Sequence, residues 1–70
     1  MIYYFKKYGD AWVGEEDLYQ VAARASNNGW RWVASYQGKI IRRGAGVRHV
    51  TIALDYAVNA VNDHNKDNVK

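Results

Sequence analysis

Seventy residues, ten of them Lys or Arg against seven Asp or Glu, give a formal charge of +3 and a pI near 9.3, and that length has room for one folded unit around one small core. There is no cysteine, which excludes disulfides and thiolate metal sites as staples. The core must come from rings instead, and three Trp, six Tyr and one Phe can each withdraw roughly 150 to 250 Å² from water.

Ile2 to Tyr8 is rich in aromatic and β-branched residues, and Gly9-Asp10 supplies turn chemistry before Ala11-Trp12-Val13. That pattern predicts a short hairpin. The N-terminus is charged early and carries no long apolar run, so it reads neither as a signal peptide nor as a membrane span and implies a cytoplasmic protein. After Gly14, the carboxylates of Glu15, Glu16 and Asp17 suit the positive end of a helix dipole. Leu18, Val21, Ala22 and Ala25 then recur at i, i+3, i+4 and i+7, and Asn27-Asn28-Gly29 suits a helix C-cap. A first helix is predicted there.

Trp30 to Tyr36, the polar turn Gln37-Gly38 and Lys39 to Arg43 predict a second hairpin, the clearer of the two. Gly44-Ala45-Gly46 is expected to break the strand, and Val47 to Val50 to lead into Thr51, a suitable N-cap. The second helix carries Leu54, Ala57, Val58 and Val61 at the same helical spacing. Asn62 to Lys70 is polar, with 66–70 expected to fray as a flexible tail.

The halves thus read as strand, turn, strand, helix, twice, with pseudo-repeats roughly over 1–28 and 29–65 of a single small α+β domain spanning 1–65. The expected fold is ββαββα, a four-stranded antiparallel sheet with two helices packed on one face.

Trp30-Arg31-Trp32, Gly38-Lys39-Ile40-Ile41, Gly44-Ala45-Gly46 and the helix bearing Ala53, Ala57, Ala60 and Val61 together resemble the repeat of the YegP-like family of small bacterial proteins. The likeness covers Trp30 to Val61. Val47 stands where that family has an aromatic residue, and His49-Val50 where it has a polar pair. The resemblance implies two ββα repeats and no activity to transfer. The Gly-x-Gly before an Ala-rich helix is also similar to the close of double-stranded-RNA-binding domains, but those have three strands between their helices, and their Lys pair reads Arg48-His49 here.

The segment from Lys39 through Arg42, Arg43, Gly44, Gly46 and Arg48 to His49 gathers cations around a glycine-containing loop before a helix, where free backbone N–H groups can receive a phosphate. The same glycines could simply permit an awkward turn. Trp30, Trp32 and Tyr36 share one strand face, with Arg31 on the other. Those rings are core if they face the helices, and a base-stacking or partner-anchoring platform if they face outward. Lys6 and Lys7 among Tyr3, Tyr4, Phe5 and Tyr8 fit either a nucleic-acid surface or the charged guard of an edge strand.

Catalysis has no evident seat. Glu15, Glu16 and Asp17 are consecutive on a helix and cannot converge, His49 and His64 lack metal-ligand spacing, and Ser26 and Ser35 have no nucleophile elbow. No enzyme, cofactor or metal is therefore expected. The basic balance favours a binding protein acting on nucleic acid or a nucleoprotein complex. The alternatives are a protein inhibitor or adaptor of phage or mobile-element origin aimed at a host protein, such as an anti-CRISPR type, and a homodimeric structural module.

Overall fold

Two-residue reversals organise the chain: Gly9-Asp10, Asp17-Leu18, Asn27-Asn28 and Gln37-Gly38 each separate two antiparallel strands. The computed structural model describes residues 4–68. The elements are β1 (Lys6–Tyr8), β2 (Ala11–Glu16), β3 (Tyr19–Ser26), β4 (Gly29–Tyr36), β5 (Lys39–Val47) and α1 (Val50–Asn68). The strands form one meander in the order β1-β2-β3-β4-β5. Gln37 and Gly38 both hold positive φ, at 53° and 80°, the backbone that matches a two-residue hairpin to the twist of its strands. The amide of Gln37 also donates to Leu18 O at 2.9 Å, tying two reversals together at one end of the sheet.

This corrects the ββαββα expectation: five strands and one C-terminal helix stand in place of four strands and two helices. The two ββα repeats implied by the family resemblance fail with it, because the first half holds no helix. Glu15 and Glu16 end β2, and Asp17 takes φ 54° in a tight reversal. From Tyr19 onward a period of two prevails. Tyr19, Val21 and Ala23 are buried, while Gln20 and Arg24 point the other way and are exposed. β3 pairs with β4 along its whole length and with β2 from Tyr19 to Arg24, and those ladders outweigh the helical propensity of its alanines. Leu18, the supposed start of a buried stripe, is 55% exposed.

Gly44-Ala45-Gly46 likewise does not break the strand but lies inside β5. Register shifts between Trp30 and Trp32 and between Ala34 and Ser35 give β5 an extra residue at each place, the bulges that bend a strand and raise its twist. Gly44 is there because of a close approach: a Cβ would stand 2.5 Å from the indole nitrogen of Trp32.

The second helix forms close to where its apolar spacing places it. His49 O accepts from the Ala53 amide at 3.0 Å, so His49, two residues before the expected Thr51, occupies the N-cap. The helix runs on through Asn68 and includes 66–68 of the expected tail, while Val69 and Lys70 lie outside the described residues. Ala53, Leu54, Ala57, Ala60 and Val61 are buried where α1 crosses β3, β4 and β5. Beneath them lie Tyr19, Val21, Ala23 and Ala34, with Trp12, Trp30, Trp32 and Tyr36 packed around the margin. Small residues on both layers let the helix lie close, and the rings seal the edges. Val21, fully buried at the centre, contributes about 1.5 to 3 kcal/mol through its side chain alone.

Candidate anion-binding face of the sheet

With α1 on one side, no other described element covers the opposite face of the sheet. Cross-strand pairs resolve that face into three rungs. One spans all five strands as Lys6, Val13, Ala22, Val33 and Arg43. A second reads Tyr8, Ala11, Arg24, Arg31. The third reads Glu15, Gln20, Ser35, Ile40, and in it Gln20 Nε2 donates to Glu15 Oε1 at 2.9 Å. Small apolar side chains thus make a floor, and Lys6, Arg24, Arg31 and Arg43 surround it. A concavity of about 580 Å³ lies over this floor.

The charges there are poorly matched. Arg24 stands directly opposite Arg31, and like charges so placed are destabilising. Arg24 Nε lies 3.6 Å from Asp10 Oδ1, with both side chains more than half exposed, so that pair contributes little. Arg31 and Arg43 have no ion pair among the described residues.

The cations expected to act together are divided between the two faces. Lys6, Arg31 and Arg43 reach the open one. Lys7 pairs in register with Trp12 on the other, its Nζ 5.9 Å from the ring centre. Arg42 is the neighbour of Arg43 and so points oppositely, to the helix side, with Nη1 3.6 Å from Asp63 Oδ2. Lys39 is exposed at the start of β5 beside Tyr36, and Arg48 and His49 are exposed between β5 and α1. Gly44 and Gly46 serve the path of β5, the latter at φ 74°, in place of a phosphate-cradling loop.

Trp30, Trp32 and Tyr36 lie on the helix side, packed against the buried cluster, and of the three only Trp32 also lines the concavity. Trp32 stacks on Tyr56 of α1 at 6.0 Å between centroids. Arg24 is the residue that sequence reasoning missed, having been placed in a helix. The alternation of Tyr19, Val21 and Ala23 with Gln20, Ala22 and Arg24 was the signal that could have found it.

At the end of the sheet near Gln37, a hydrogen bond of 2.7 Å joins the Tyr19 hydroxyl and Nδ1 of His64. Tyr36 packs on both rings, with centroids 4.6 and 5.0 Å away. Burial, and then the neighbouring Tyr36 phenol, raise the Tyr19 pKa above its ordinary 10.0. The hydrogen bond and the ring contacts tie α1 to β3 and β4 at this end of the sheet. No group of three or more His, Cys, Asp or Glu among the described residues could hold a metal ion. No helix among them is long and apolar enough to cross a membrane.

Comparison of the chain with protein-family models, with curated proteins and with solved structures finds no match.

Proposed function

We propose that this chain is a cytoplasmic, non-catalytic binding protein whose open sheet face takes up nucleic acid, alone or in a nucleoprotein complex. The observation that supports this most is the set of Lys6, Arg24, Arg31 and Arg43 on one face, with two arginines opposed across β3 and β4 and, among the described residues, only the exposed Arg24–Asp10 ion pair set against their charge. An anionic backbone laid on that face removes the repulsion and gains charge-assisted hydrogen bonds. Four phosphate contacts predict a slope of log affinity on log salt of about −3.6 for a duplex and about −2.8 for a single strand. Fluorescence anisotropy with labelled DNA and RNA at two salt concentrations tests the reading. Affinity that falls with those slopes supports it, and absence of binding at low salt removes it.

A second reading has its own support. The floor of Ala11, Val13, Ala22 and Val33 is apolar, and Tyr8 is the one ring on its rungs; an apolar centre with a cationic rim is the anatomy of a protein interface. An acidic protein surface would complement it, as expected of an inhibitor. Affinity capture with the native chain and with Arg31→Glu tests this reading. A stoichiometric protein held by the first and released by the second supports it, and capture of none defeats it. Face-to-face homodimerisation is disfavoured, since it sets the cations of one copy against those of the other.

A further inference from the structure

We infer that the concavity on the open face is a nucleotide site, with one phosphate held between Arg24 and Arg31 and the base lying on the apolar floor towards Arg43. This rests on the open face being an anion-binding surface and narrows that surface to a ligand of defined chemistry.

Three observations converge. Arg24 and Arg31 are cross-strand partners on the same face, so their guanidinium groups rise from backbones one strand spacing apart, about 4.8 Å. Two planar forks at that separation can both donate to one tetrahedral anion. With the anion absent, they repel. Asp10, 3.6 Å from Arg24 Nε in an exposed pair, offsets little of that repulsion, and an anion seated between the two forks would remove the rest.

The neighbouring rung supplies what a bare phosphate site does not need. Val13, Ala22 and Val33 lie side by side beneath the concavity, a flat apolar strip for the face of a ring. Phosphate gains nothing there, whereas a base loses water from one face and so does the strip. Arg43 closes that rung at β5. By strand geometry it stands about 8 Å from Arg31, two residues along and one strand over, where its guanidinium can stack on a base or take the next phosphate of a strand. The volume of about 580 Å³ falls within the roughly 300 to 1,000 Å³ usual for small-molecule sites, which pair an apolar lining with a few placed polar groups.

Isothermal titration of the whole chain with adenosine and uridine monophosphates, with the free nucleosides and with inorganic phosphate tests the proposal. The monophosphates are expected to bind about tenfold or more tightly than either fragment, a difference of about 1.4 kcal/mol. That advantage should vanish in Arg31→Gln and in Arg24→Gln, both of which should melt no lower than the native chain. Monophosphates that bind no better than inorganic phosphate, or that bind both variants unchanged, overturn the site. An oligonucleotide titrated alongside separates the two levels. Mononucleotide binding without oligonucleotide binding keeps the site and sinks the nucleic-acid reading, while the reverse keeps that reading and sinks the site.

Discussion

The two faces of this sheet come from the same strands and share almost no chemistry. Under α1, β3 and β4 present Tyr19, Val21, Ala23, Trp30, Trp32, Ala34 and Tyr36. On the reverse, the intervening positions present Gln20, Ala22, Arg24, Arg31, Val33 and Ser35. On these two strands, rings on one side and arginines on the other are the simplest outcome of a period of two. It also divides the labour: β3 and β4 place their large side chains under α1, where they close one core, which leaves alanine, valine, arginine and small polar residues on their open side.

The widest gap between the faces should appear in their tolerance of charge. Val21→Asp buries an unpaired carboxylate beneath α1 and should cost roughly 4 kcal/mol or more, comparable to the whole stability of a domain this size. Circular dichroism should show an unfolded chain at room temperature, and a cooperative melt near the native one would break the distinction. Gly44→Ala should cost about 1 to 3 kcal/mol, because the new methyl group must displace the Trp32 indole. Near-ultraviolet dichroism should lose the signal of the Trp32–Tyr56 stack.

Tyr19→Phe sharpens the contrast at alkaline pH. The folded state holds the Tyr19 proton more tightly than the unfolded state, whose ordinary value is 10.0. This group therefore leaves stability unchanged below about pH 10, and stability falls as pH rises towards and through the raised folded value. Denaturant melts from pH 9 to 11 should show a smaller decline in the Phe variant than in the native chain. The smallest effect belongs to the open face, where Arg31→Ala should change stability by no more than about 0.5 kcal/mol and in the stabilising direction, as chemical denaturation can read.

Much of the covered face was legible before folding. The stripe of Leu54, Ala57 and Val61 needs a helix to be contiguous, and Gln37-Gly38 between two apolar runs needs a hairpin. The first half hid its strand because alanine is small and serves either period. With Ala22, Ala23 and Ala25 in place, the helical spacing from Leu18 and the alternation from Tyr19 fit the same residues. Asn27-Asn28-Gly29 could cap a helix or turn a hairpin. Long-range pairing with β2 and β4 decided between them, and no local window contains it. The candidate site suffered most from this. Its register depends on β3, so Arg24 went unrecognised, and Arg42 and Arg43 stood together in the chain until the sheet set them on opposite sides.

Backbone amide shifts followed by NMR, while a short oligonucleotide is added at low salt, put the division between the faces to its plainest trial. Movement centred on Lys6, Ala22, Arg24, Arg31, Val33 and Arg43, with the exposed Asp55 and Tyr56 of α1 unmoved, is the predicted result. Shifts centred on α1, or none at all, would contradict it.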